Sequence, residues 1–146
     1  MAQIETPVEF KGVTDASEID DTGARRSYRA HTEEMLVLPH IGHNGRCVGM
    51  YTVHSESGEE YAVDVAANAC SCPDQSHNDP AGGCKHIRRV KLEVEETALP
   101  GQGDDVEPFY NALDARRAGY VAKVEEMLER FTLLQEHIRT IDNWDG

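Results

Sequence analysis

Long apolar runs are missing from this chain, and lysine is scarce. No hydrophobic stretch approaches the ~20 residues that a helical membrane span requires, and Met1-Ala-Gln-Ile-Glu5 lacks the basic and apolar regions of a secretory signal. A cytoplasmic protein without a membrane partner is the expectation. At 146 residues the chain is one domain's worth, or a small domain with extensions, and only its middle is expected to build a compact core. No nucleophile elbow, phosphate-binding glycine loop or His-Glu-x-x-His motif occurs. A non-enzymatic role is therefore expected. Lysine contributes four of the 14 basic residues, against 27 Asp and Glu, for a formal net charge of −13. A soluble chain this acidic, with arginine outnumbering lysine, resembles proteins of salt-accumulating halophilic archaea and their viruses. At molar salt the Debye length falls to about 3 Å, so contacts to nucleic-acid phosphates would contribute little affinity there.

Against this background one stretch carries chemistry. Between Cys70 and His86, three of the four cysteines and one histidine form two pairs, Cys70-Ser-Cys72 and Cys84-Lys-His86. Three thiolates and an imidazole suit tetrahedral zinc in a structural site with no open position. Ligands at i and i+2 can face one ion only if the backbone curls, and Asn68, Pro73 and Gly82-Gly83 supply turn chemistry around both pairs. A disulfide or redox pair fits less well, because Cys-x-Cys is a poor disulfide and a redox motif would be Cys-x-x-Cys. Cys70, Cys72, Cys84 and His86 are thus the expected ligands of one structural Zn2+, with His77 as the alternative to His86. The remaining thiol, Cys47, sits among Val48, Met50 and Tyr51 and reads as buried. A second metal site from His40, His43 and His54 is the lesser reading of those residues.

Cys70-x-Cys72, eleven residues, then Cys84-x-His86, with strand-like Glu60–Val65 before and helix-like Ile87–Leu92 after, resembles the SWIM-type zinc finger, whose pattern is CxC followed by CxH. All four ligand positions match. The resemblance covers about residues 34–94. It implies a small ββα zinc-held fold that binds DNA or proteins, in transposase-like, chromatin-associated and ubiquitin-ligase proteins and in partners of recombinase paralogues.

The expected fold is α+β: a three-stranded antiparallel sheet built on a β-hairpin plus a helix, held by zinc, then a long C-terminal amphipathic helix. Residues 1–23 read as an extended or disordered N-terminus. Residues 24–94 form the zinc module with a short helix at 24–33, strands at 35–38, 46–53 and 59–65, and a helix from Ile87. The segment 95–108, with two prolines, two glycines and many acids, reads as a linker. From 109 to 143, Tyr120, Val124, Met127, Phe131, Leu134 and Ile138 recur at alternating four- and three-residue steps. That is the stripe of an amphipathic helix or coiled coil.

Half of the positive charge falls in two short runs, Arg25, Arg26 and Arg29 in one and Lys85, Arg88, Arg89 and Lys91 in the other. They form a candidate anion-facing surface for nucleic acid or a partner, or they serve the fold by neutralising the metal cluster and covering apolar surface. The expected function is a zinc-binding module that mediates protein–protein interaction, as an adaptor in DNA recombination, repair or regulation. The alternative is a DNA-binding regulator that uses the basic face of the helix after the ligands. Another protein is the expected partner, with a homodimer through the C-terminal helix as one form of it.

Overall fold

The computed structural model describes residues 4–144 of the 146. Contacts group the chain into two compact units, the first running through Phe109 and the second starting at Tyr110.

The first unit is α+β. Helix α1 (Thr22–Thr32) leads into β1 (Met35–Ile41), β2 (Cys47–Ser55), β3 (Glu60–Asp64) and the short β4 (Ala69–Cys70). Helices α2 (Pro73–Asn78) and α3 (Lys85–Glu96) follow. The four strands form one antiparallel sheet in the order β1-β2-β3-β4. Only three strands are expected from hydrophobic alternation, because β4 spans two residues and has no period to read. Alternation along β2 buries Cys47, Tyr51 and Val53 and turns Val48 and Met50 outward. Register pairs Val37 with Val53 and Tyr51 with Val63, which stacks the inward residues of three strands. Pro39 lies on β1 at the sheet edge, where its missing N–H costs nothing.

Ile87 and Val90 of α3 are fully buried, and α1 packs on α3 with Tyr28 and Ala30. Each helix starts at a residue suited to it. The Asp21 carboxylate accepts from the Ala24 amide at 2.7 Å to cap α1. Cys84 occupies the N-cap of α3 with extended backbone.

Two segments depart from the sequence expectation. Residues 1–23, expected to be extended or disordered, contain two short 3-10 turns, Val8–Phe10 and Ala16–Glu18, within the described part. Phe10 is buried edge-on against Tyr28, and the Tyr28 hydroxyl donates to Val13 O. The stretch 95–108, expected as a linker, is taken up by the fold as a strap. Helix α3 continues through Glu96, and Leu99 and Pro100 are buried. Beyond its last pairing with β3, strand β2 pairs with this strap instead: Cys47 N–H donates to Asp104 O at 3.0 Å and Gly103 N–H donates to Cys47 O at 2.8 Å. Tyr51 Oη donates to Pro100 O at 2.7 Å. Gly49 permits the close approach, since it has φ +87 and a Cβ there would stand 3.1 Å from Gln102.

The second unit is α4 (Glu107–Asp142) from Tyr110 onward, a helix of the length expected from its apolar stripe. No helix among the described residues is long and apolar enough to cross a membrane.

Candidate metal centre

The four residues paired in the sequence meet in space. One ligand atom from each of Cys70, Cys72, Cys84 and His86 can be chosen so that all lie within 4.8 Å of one another. His86 Nδ1 is 3.8 Å from both Cys70 Sγ and Cys84 Sγ. A tetrahedral zinc with the usual Zn–S and Zn–N lengths separates S from N by about 3.6 Å and S from S by about 3.8 Å, so the cluster fits the ion's size.

Local structure explains why these side chains converge. Cys70 ends β4. Ser71, the residue inside the first pair, is clipped to β3: its amide donates to Ala62 O at 3.0 Å and its hydroxyl accepts from Ala62 N at 2.9 Å. This clip turns the chain so that Cys72 becomes the N-cap of α2, with Pro73 at the first helical position. Cys84 and His86 sit at the N-cap and first turn of α3, where the helix dipole favours a thiolate. Gly82 and Gly83 both have positive φ, and a Cβ on Gly83 would stand 2.9 Å from Ile87 Cγ2, so this turn into α3 requires glycine.

Gln75, which motif reading passes over, ties the two ligand pairs together. Its Oε1 accepts from the Cys84 amide at 2.9 Å, and its Nε2 donates to Asn68 O at 3.2 Å and Asp79 Oδ1 at 3.0 Å. Its own amide points at Cys72 Sγ, 3.4 Å away. Three residues after an N-cap is a capping-box position, and that spacing is the signal by which Gln75 could have been found.

The electrostatics suit a cation. Cys72 and Cys84 are buried and Cys70 is half-buried. Cys84 is held below the ordinary thiol range, chiefly by its hydrogen bond with Cys70. That same bond pushes Cys70 upward, and burial pushes Cys72 upward. Only one of three clustered thiols ionises readily, as mutual repulsion demands, and a divalent ion removes that repulsion. With Nδ1 facing the sulfurs, His86 Nε2 lies on the far side of the ring, buried, without a hydrogen-bond partner among the described residues. The Tyr61 ring covers the imidazole at 4.5 Å. His77 is exposed on α2 and outside the cluster. His40 Nε2 is hydrogen-bonded to Thr52 Oγ1 at 2.7 Å, and the Cys3His group is the one metal-compatible cluster among the described residues. Cys47 is buried, with its sulfur 3.6 Å from Tyr51 Oη.

Of the basic residues, Arg25, Arg26 and Arg29 from α1 and Lys85 from α3 line one cleft of about 350 Å³ beside the cluster. Most of the seven are engaged within the fold. Arg25 donates to Ile19 O, and Arg26 binds Asp74 in a fork at 2.8 and 2.9 Å, which holds Asp74 down to about 2. Lys85 pairs with Glu33 at 2.6 Å, and Arg88 donates to Gly83 O and Ala81 O. Arg89 reaches Ala30 O, Glu33 O and the buried Glu93, which joins α3 to the end of α1. Arg29 pairs with Glu33 at 4.0 Å, and Lys91 stands exposed beside a separate cleft.

On α4, Tyr120, Val124, Met127, Phe131, Leu134 and Ile138 are all about half exposed or more. Comparison of the chain with protein-family models, characterised proteins and solved structures returns no match.

Proposed function

We propose that the chain is a zinc-held binding module that works without catalysis, presenting its surface to another protein. The observation that carries this reading is the closed Cys3His cluster. Four protein ligands fill the tetrahedral shell and leave no position for a substrate, so the ion would supply folding free energy and not Lewis-acid chemistry. The order of ligands, with β3 before the first pair, β4 ending at Cys70 and α3 starting at the second pair, supports assignment to the SWIM type. Three thiolate ligands suit a reducing compartment, which supports a cytoplasmic location. An adaptor in recombination, repair or regulation is the role that the resemblance implies. The halophile-like composition goes with protein contacts, since apolar association survives molar salt and phosphate contacts do not.

Protein is favoured over DNA as the ligand because five of the seven candidate basic residues already donate to acceptors of their own fold. The DNA reading rests on the cleft that gathers Arg25, Arg26, Arg29 and Lys85. A fluorescence-anisotropy titration of zinc-loaded full-length protein with duplex DNA, over a salt series, separates the two. Protein recognition predicts no saturable binding, and charge reversal of the least engaged cations, Arg29→Glu and Lys91→Glu, changes nothing. Saturable binding that falls steeply with salt and is lost in those variants would replace it with the DNA reading.

A further inference from the structure

The apolar stripe of α4 has a strict register. Taking Leu113, Tyr120, Met127, Leu134 and Ile141 as d positions of a heptad places Arg117, Val124, Phe131 and Ile138 at a. No step breaks the alternation of four and three over four heptads, and every apolar d and a residue from Tyr120 to Ile141 is exposed. A repeat of 3.5 residues held this long keeps its seam facing one partner helix only if the two supercoil.

We propose that the occupant of this seam is a second copy of the chain, aligned parallel and in register, so that α4 forms a two-stranded coiled coil over residues 113–141. This deepens the proposed function by naming one protein partner, and it rests on reading α4 as a protein-binding surface.

Three features of the charge and shape pattern select that occupant. Residues 113–141 contain five acidic and five basic residues, so in a chain of net charge −13 this segment alone is neutral and can lie beside its copy without repulsion. The flank at g is a basic row, Arg116, Lys123, Arg130 and His137, whereas the middle of the e flank is uncharged, with Val121, Leu128 and Gln135. Antiparallel pairing would set the basic row against itself. Parallel pairing sets each g residue against the e residue five positions on in the partner: Arg116 on Val121, Lys123 on Leu128, Arg130 on Gln135 and His137 on Asp142. The aliphatic stems then cover the apolar e side chains that a narrow seam would leave wet. Finally, β-branched Val124 and Ile138 at a with Leu134 at d favour two strands, and the polar Arg117 at one a position fixes the register.

A parallel coil also sets, by covalent connection, both zinc modules at the same end of the dimer. Whatever one module binds is then met by two copies, and the effective concentration of the second is raised by the tether.

The test uses the full chain, its zinc content measured in the same samples, at about 0.15 M and about 1 M salt. Sedimentation equilibrium is expected to give twice the 16.2 kDa of one chain. The Ile141→Cys variant is expected to form an inter-chain disulfide under mild oxidation, because d residues face each other only in a parallel, in-register pair, while wild type forms none. Met127→Asp with Phe131→Asp is expected to weaken the dimer by about a hundredfold or more without loss of zinc. A monomer at both salts overturns the proposal, as does a trimer or larger species. So does a dimer in which Ile141→Cys links only to an Arg117→Cys chain, the a position that an antiparallel pair would set opposite it. Any of these outcomes with one zinc per chain leaves the zinc-module reading standing, whereas absence of zinc counts against that reading alone.

Discussion

The Cys84 amide donates to Gln75 Oε1 at 2.9 Å, across nine residues of chain. Through this bond a buried side chain of the helix capped by Cys72 holds the N-cap amide of the helix that starts at Cys84, which ties the two halves of the ligand set together. Loss of the bond leaves a buried N–H without an acceptor, at a cost of about 1–3 kcal/mol. Gln75→Leu is therefore expected to weaken zinc binding by about ten- to a hundredfold while keeping one zinc per chain. Competition against a chelator of known affinity measures it. Unchanged affinity would show that Gln75 only fills space.

Zinc affinity should rise with pH. Cys70 and Cys72 are raised and hence protonated at neutral pH in the metal-free protein, whereas Cys84 is lowered and already a thiolate. Binding must expel about two protons, so log affinity climbs by up to about two per pH unit below the raised values. Stability coupled to the metal is thus present toward alkaline pH and lost as pH falls. Chelator competition between about pH 6 and 8 checks the slope. A flat profile would mean that the thiols are ionised before the metal arrives.

The strap after α3 should be worth measurable stability. Tyr51 Oη donates to the buried Pro100 carbonyl at 2.7 Å, and burial pushes the phenol's ionisation upward. Tyr51→Phe removes the donor and strands the carbonyl. It is expected to lower the unfolding free energy by about 1–3 kcal/mol with zinc content unchanged, measured by denaturant titration of the zinc-loaded protein. A neutral substitution would argue that the strap is held by its backbone pairing with Cys47 and by the Arg46 guanidinium donating to Gly103 O.

How much of this was legible in the sequence depends on how far each residue's role is set by its neighbours along the chain. Cys70, Cys72, Cys84 and His86 stand out because paired spacing and adjacent turn residues are local signals. The length of α4 is equally local, since a heptad needs nothing but itself. Gln75 was legible only at one remove, because its capping-box spacing means something only once Cys72 is known to cap a helix. Residues 97–106 have the composition of a linker, yet Leu99, Pro100 and the Cys47 pairing place them on the sheet. Composition reports what a segment would do alone, and here the unpaired end of β2 decides instead. Arg89 shows the same limit: in sequence it is one of a basic run, and in the fold it bonds the Ala30 and Glu33 carbonyls at the end of α1.

On the proposed function, one zinc ion held by Cys70, Cys72, Cys84 and His86 organises the first unit. In a core this small, metal binding of about 10 kcal/mol or more would be coupled to folding. The most direct measurement is elemental analysis of protein purified without chelator, alongside Cys84→Ser and a circular-dichroism melt of each. One zinc per chain is expected in the wild type. Loss of the metal, and of the cooperative melt of residues 4–109, is expected in the variant. Wild-type protein that carries no zinc, or a Cys84→Ser chain that melts as the wild type does, would contradict the proposal.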